Sequence, residues 1–281
     1  MQVIVAKSAG FCMGVRRAVD KARSLLKESG SNVYTDGPLI HNRQMMGRLE
    51  AEGITECDDP ASLSDGLLLV RAHGISPERR RLLRELPVAL ADATCPDVAR
   101  IQGLVRKYVH DGYRVLIFGD DGHPEVVGLL GHADGKGHVV QSDEDVPTLP
   151  DMERVCLVAQ STQFVHAYDT VADAVRKRFP EVQVLDTICA STKARQGELE
   201  EMARTADAIV VVGGQHSANT LRLAALARTL RPTFHVQTAD DIDPSDFADF
   251  ETVALTAGAS TPDEVIEEVR RKLEGVRHST E

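Results

Sequence analysis

Three cysteines, Cys12, Cys95 and Cys189, each stand where a β-like run meets an amphipathic helix, and this repeated junction restricts the possible folds more than any other feature of the chain. Gln2-Val3-Ile4-Val5-Ala6 leads into Cys12, and the helix beyond it carries Val15, Ala18, Val19, Ala22, Leu25 and Leu26 on one stripe. Val88-Ala89-Leu90-Ala91-Asp92 leads to Cys95, with Val98, Ile101, Leu104, Val105 and Val109 following at helical spacing. Val182-Gln183-Val184-Leu185 leads to Cys189, ahead of Leu199, Met202 and Ala203.

Between the cysteines the same elements recur in the same order. Asn32-Val33-Tyr34-Thr35 runs to a tip at His41, a short edge-like segment covers 53–60, and Leu67-Leu68-Leu69-Val70 runs to a second tip at His73. Ser76 before Pro77 predicts a capped helix start there. The second cycle has Arg114-Val115-Leu116-Ile117-Phe118 running to His123 and Glu125, an edge segment over 139–145, and Val155-Cys156-Leu157-Val158 running to Ser161 and Thr162. In the third, Ala208-Ile209-Val210-Val211-Val212 runs to Ser217 and Asn219, an edge segment covers 235–241, and Thr252-Val253-Ala254-Leu255 runs to Ser260. Thr261 with Glu264 fits a capping box on the last helix.

Alternating β and α elements require parallel strands joined by helical crossovers. The expected fold is α/β: three pseudo-threefold-related modules, each with a small, mainly parallel sheet, over 13–95, 96–189 and 190–281, the last completed by 1–12. Every tip residue named above lies at the carboxyl end of a strand, where α/β units collect their ligands. The expected arrangement sets the three cysteines around one point with the polar tips about them.

Composition removes several function classes. A net charge of −11 with no basic tail argues against nucleic acid and anionic membranes as partners. No apolar run approaches the roughly 20 residues that span a bilayer, and no leader pattern follows Met1, so the expected location is the cytoplasm. Five cysteines, an odd number, read as thiols in a reducing compartment. Three of them converging can hold zinc or an iron–sulfur cluster; a [4Fe–4S] cluster on three ligands has one open iron, a Lewis acid for a substrate oxygen. Cys57 and Cys156 fall outside the repeat and read as ordinary thiols. His41, His73, His123, Ser217, Asn219 and Ser260 offer donors beside helix N-termini, a pocket suited to phosphate oxygens. Glu125 is placed to relay a proton, or else is a solvated first-turn carboxylate.

Seven ordered motifs carry a family resemblance over nearly the whole chain: Gly10-Phe11-Cys12-Met13-Gly14-Val15, Gly37-Pro38-Leu39-Ile40-His41-Asn42, Arg71-Ala72-His73-Gly74, Asp92-Ala93-Thr94-Cys95-Pro96, Gly122-His123-Pro124-Glu125-Val126, Thr187-Ile188-Cys189 and Thr256-Ala257-Gly258-Ala259-Ser260. Together they resemble the 4-hydroxy-3-methylbut-2-enyl diphosphate reductases of non-mevalonate isoprenoid biosynthesis. The resemblance implies an iron–sulfur oxidoreductase that removes an allylic hydroxyl, giving isopentenyl and dimethylallyl diphosphates with electrons from a ferredoxin or flavodoxin. It implies one [4Fe–4S] cluster on Cys12, Cys95 and Cys189. The diphosphate would be held by the three histidines with Ser217, Asn219 and Ser260, and protons would come from Glu125.

Some positions depart from the family pattern. Gln160-Ser161-Thr162-Gln163 stands where Gln-Thr-Thr-Leu is usual, which puts Ser161 near the substrate hydroxyl; His216 and Ala218 flank Ser217, and Met45-Met46 replace small branched residues. A reductase of another allylic diphosphate, a Cys₃-zinc phosphate-ester hydrolase and a non-catalytic iron–sulfur redox sensor are the competing readings. Arg79, Arg80, Arg81 and Arg84 form a basic helix face, either solvated or a dock for an acidic electron carrier.

Overall fold

The computed structural model describes residues 1–276. In chain order β1 (Gln2–Val5) leads to α1 (Met13–Ser29), and β2 (Val33–Asp36), α2 (Arg43–Glu52), β3 (Ile54–Cys57), β4 (Leu67–Val70), α3 (Pro77–Arg84) and β5 (Ala89–Asp92) follow. Next come α4 (Pro96–His110), β6 (Arg114–Phe118), α5 (Pro124–His132), β7 (Gly137–Val140), β8 (Arg154–Ala159), α6 (Val165–Arg178) and β9 (Glu181–Val184). The chain finishes with α7 (Ala190–Met202), β10 (Ala208–Val212), α8 (Ala218–Leu230), β11 (Thr233–Val236), β12 (Thr252–Ala257) and α9 (Asp263–Glu274).

The strands form three four-stranded sheets with the orders β3-β2-β4-β5, β7-β6-β8-β9 and β11-β10-β12-β1, parallel at every pairing. All three have one topology, and the N-terminal strand takes in the third sheet the place that β5 and β9 take in the others. The expected α/β class with small parallel sheets is observed. By their contacts the residues fall into two compact units. One holds Met1–Arg16, His41–Arg48 and the described residues from Ala190; the other holds Arg17–Ile40 and Leu49–Cys189.

The unbroken apolar runs of the central strands have a direct cause: both sheet faces are covered. In the second unit, Leu116 and Phe118 of β6 point into a core with Leu157 of β8 and Tyr168, Val171 and Val175 of α6. Val115 and Ile117 point the other way, against Ile101 and Val105 of α4 and Val126 and Leu129 of α5. Cys156 lies in that second core, and burial pushes its thiol up to about 12, as befits an inert buried thiol. In the first unit, Val210 and Val212 of β10 face α9, whereas Ile209 and Val211 face α7 and α8.

Helix caps follow the sequence at α3, where Ser76 accepts from the Arg79 N–H at 3.1 Å ahead of Pro77. They do not at α9. There Pro262 takes the cap position, and the Thr261 hydroxyl donates to the Val212 carbonyl at 3.0 Å. The predicted capping box is absent because Thr261 is buried against the end of β10, and its hydroxyl serves the strand.

α4 and α5 share a part-buried polar contact between the Arg106 guanidinium and His132 Nδ1 at 3.0 Å. A guanidinium only donates, so Nδ1 accepts and the imidazole is neutral. Burial, then the Arg106 charge, holds His132 down to about 4. Below about pH 6.5 the unfolded chain therefore binds a proton that the folded chain refuses, and stability falls with acidification until about pH 4. Urea unfolding from pH 7 to 5 should lose up to about 1 kcal/mol per pH unit through this group. His132→Gln should flatten that segment of the curve.

Candidate active site

Each of the three cysteines directly precedes a helix, and each backbone N–H is bonded to the neighbouring strand tip in its own sheet. Cys95 N–H donates to the Ala72 carbonyl at 2.9 Å, Cys189 N–H to Ser161 at 3.0 Å and Cys12 N–H to Ala259 at 3.1 Å. Each acceptor lies two residues beyond the end of its strand, β4, β8 or β12. The next residues along are His73, Thr162 and Ser260. A second register recurs five residues beyond the first strand of each sheet, at His41, His123 and Ser217, each beside the start of a helix. Two residues further, Glu125 and Asn219 occupy matching places in α5 and α8.

The unit with Arg17–Ile40 and Leu49–Cys189 contains His73, His123, Glu125, Ser161, Cys95 and Cys189. The His73 and His123 rings meet edge to face, with centroids 5.7 Å apart. His123 caps α5 through Nδ1, which accepts the Glu125 N–H at 3.2 Å. That bond leaves the proton of the neutral ring on Nε2, where it can be donated to an anion. Glu125 is 2% exposed and accepts from the Ser161 N–H at 2.6 Å and its hydroxyl at 2.8 Å. The solvated reading of Glu125 is excluded: its carboxylate is buried and bonded to the tip that also receives Cys189.

The other unit contains Cys12, His41, Ser217, Asn219 and Ser260. Ser217 caps α8 by accepting the Thr220 N–H at 3.3 Å. Asn219 is buried, and its Nδ2 has no acceptor, a donor available to a ligand oxygen. The Ser260 hydroxyl donates to the His41 carbonyl at 3.1 Å, so its one proton ties the His41 loop to the tip of β12. Close packing sets this geometry: a Cβ on Gly258 would stand 1.9 Å from Thr220 Oγ1.

The LytB protein family model matches residues 3–274. The chain belongs to the LytB protein family. A 4-hydroxy-3-methylbut-2-enyl diphosphate reductase of Opitutus terrae is 48% identical over 98% of this chain and 100% of its own length. The protein of that name from Geobacter sulfurreducens is 39% identical over 98% of this chain and 97% of its own. A solved structure of (E)-4-hydroxy-3-methyl-but-2-enyl diphosphate reductase, the terminal enzyme of the non-mevalonate pathway, is 38% identical with a TM-score of 0.73, covering 98% of this chain and 99% of that one. The Plasmodium falciparum reductase structure is 27% identical with a TM-score of 0.92, covering 96% and 87%. The motif resemblance is thus upheld, and the chain is an enzyme of the oxidoreductase class.

The donor set suits the iron–sulfur group that the LytB resemblance implies. Cys12, Cys95 and Cys189 are half-buried thiols outside any disulfide, each immediately ahead of a helix. Cys12 Sγ accepts the Val15 N–H at 3.4 Å. Cys57, by contrast, has its thiol pushed up by burial.

Several residues brace these loops through hydrogen bonds alone. Thr187 Oγ1 accepts the Ala159 N–H at 2.7 Å and donates to its carbonyl at 2.9 Å, bracing the Cys189 loop against β8. Gln160 accepts the Asp120 N–H at 3.0 Å and so holds the His123 loop. Thr162 stands in the register of His73 and Ser260, each three residues beyond its strand. Of the basic α3 face, Arg79 pairs with the buried Asp36 at 2.7 Å and Arg80 with Asp92 at 2.5 Å. Arg81 and Arg84 alone remain exposed there.

Gly258→Ala should lower stability by about 1–3 kcal/mol through overpacking. Adding Thr220→Ala, which removes the obstructing hydroxyl, should recover most of the loss; thermal melts of the two single variants and the double variant measure that coupling.

Proposed function

We propose that this chain reductively removes the allylic hydroxyl of 4-hydroxy-3-methylbut-2-enyl diphosphate, producing isopentenyl and dimethylallyl diphosphates. Two electrons and two protons enter per turnover: the carbon–oxygen bond breaks, one proton leaves with the hydroxyl as water, and the other ends on carbon. The observation that carries the reading is the triple recurrence of a cysteine stitched to a polar strand tip, in a member of the LytB family.

In this proposal the modules 13–95, 96–189 and 190–281 with 1–12 bring Cys12, Cys95 and Cys189 to a common point. These three cysteines would hold a [4Fe–4S] cluster with one open iron, which would supply the electrons and Lewis acidity. The protein supplies position and protons. His41, His73, His123, Ser217, Asn219 and Ser260 hold the diphosphate, with His123 donating from Nε2, Asn219 from its unpartnered Nδ2, and Ser260 turning its hydroxyl from the His41 carbonyl to a phosphate oxygen. Glu125 holds the proton and Ser161, bonded to both of its oxygens, passes it toward the substrate hydroxyl. Electrons arrive from a ferredoxin or flavodoxin, and the enzyme works in the cytoplasm without nucleic acid or membrane. No helix among the described residues is long and apolar enough to cross a membrane.

Purified without oxygen, the protein should be brown, carry about four iron per chain, and turn over the substrate with an artificial reductant. A colourless protein containing zinc and no iron refutes the reading in favour of a phosphate-ester hydrolase. Preferential turnover of a different allylic diphosphate assigns the activity to a diverged reductase. Glu125→Gln should lower kcat by about 10²–10⁴-fold while iron content and visible spectrum stay unchanged; retained turnover would remove Glu125 from the proton route.

A further inference from the structure

The loop before each cysteine is held from outside by a cation on the helix that follows a different cysteine. Arg17, five residues after Cys12, donates through Nη1 to the Thr94 carbonyl at 3.1 Å, and Lys21 on the same helix donates to the Asp92 carbonyl at 2.8 Å. Arg100, five residues after Cys95, donates to the Asp186 carbonyl at 3.3 Å. Arg195, six residues after Cys189, donates to the Gly10 carbonyl at 2.5 Å. The order is cyclic: the helix after Cys12 holds the Cys95 loop, the helix after Cys95 holds the Cys189 loop, and the helix after Cys189 holds the Cys12 loop.

The third tie is the most elaborate. Arg195 is 3% exposed, and its Nε also donates to the Ala257 carbonyl at 3.4 Å, on the strand that leads to Ser260. One turn further along α7, Glu198 accepts the N–H groups of Lys7 at 2.7 Å and Ser8 at 2.8 Å, and the Ser8 hydroxyl at 2.5 Å. One acidic and one basic side chain thus engage the donors and the acceptor of a single loop. Gly10 turns with φ +93°, and a Cβ there would stand 2.6 Å from Asp263 Oδ1.

We propose that Arg17, Arg100 and Arg195, the last with Glu198, are positioning residues, each fixing the cysteine-bearing loop that follows in this cycle rather than the cysteine at the head of its own helix. That these cysteines ligate iron rests on the function proposed above, but the ties themselves can be read in the metal-free chain.

The test is a cysteine-by-cysteine alkylation map of the folded apoprotein with iodoacetamide, resolved by peptide mass spectrometry, on variants whose thermal melts show that they fold. Arg195→Met and Glu198→Gln should each speed alkylation of Cys12 by about tenfold, with Cys95 and Cys189 unchanged. Arg17→Met should speed Cys95, and Arg100→Met should speed Cys189 more modestly because that tie is exposed. Arg195→Lys should restore much of the protection of Cys12. A uniform rise at all three cysteines, a rise at the cysteine heading the mutated helix, or no change overturns the proposal. In a second arm, iron-loaded wild type and Arg195→Met are compared for release of iron to a chelator, with faster release expected from the variant. Equal release overturns the cofactor half of the proposal. Failure of the wild type to load iron instead counts against the proposed function, and the alkylation map still decides the ties.

Discussion

The fold around each cysteine depends on one backbone hydrogen bond, from the cysteine N–H to the carbonyl two residues beyond the adjacent strand. It extends the parallel ladder past the ends of the strands, where a loop would otherwise leave both groups to water. Its net worth is modest, about 1 kcal/mol, but its geometric effect is larger than its energy. Sulfur and polar tip hang from the same short stretch of backbone, so neither shifts without the other. With Ser161 accepting from Cys189 N–H and itself donating to Glu125, a thiol and a buried carboxylate are separated by a single residue's backbone and side chain.

Much of this was legible in the chain because the repeat is regular. Strands buried on both faces read as apolar runs, helices as stripes, and the tips fall at a constant five residues beyond β2, β6 and β10. Less legible were residues whose chemistry belies their surroundings. Glu125 at the first turn of a helix looks like a solvated carboxylate, yet the tip of β8 folds over it. Thr261 and Glu264 have capping-box spacing, but a strand carbonyl claims the threonine first. Four arginines on α3 look alike in sequence, and only the positions of Asp36 and Asp92 separate the paired from the exposed. Arg195 and Glu198, three apart on a helix, are indistinguishable from a surface ion pair until their loop partners are seen.

The three cysteine loops also show how one outcome is reached over different lengths. Cys95 lies three residues beyond β5, Cys189 five beyond β9 and Cys12 seven beyond β1. Ordering each loop residue costs about 1–2 kcal/mol of conformational entropy, and each loop is tied by side chains as well as by backbone. The shortest is tied from α1 by Arg17 and Lys21 and braced from within: Asp92 accepts the N–H and hydroxyl of Thr94, and its carboxyl, though burial would raise it, is held below the usual carboxylate range by those bonds and by Arg80. The middle loop adds the side chain of Thr187 bonded to both backbone groups of Ala159. The longest has two charged side chains from α7, and Glu198 likewise stays low because bonds from Ser8 and Lys7 outweigh its burial.

These ties respond to acid. A carboxyl held low in the folded state contributes stability that is present above its unfolded value and lost as pH falls through its folded value. Asp92 and Glu198 therefore both weaken in acid, one at the shortest cysteine loop and one against the longest. His132 acts earlier, withdrawing stability from about pH 6.5 downward, between α4 and α5. Acid should thus loosen the α4–α5 packing before it releases the cysteine loops, because a neutral buried imidazole resists protonation at a higher pH than a bonded carboxylate surrenders to it.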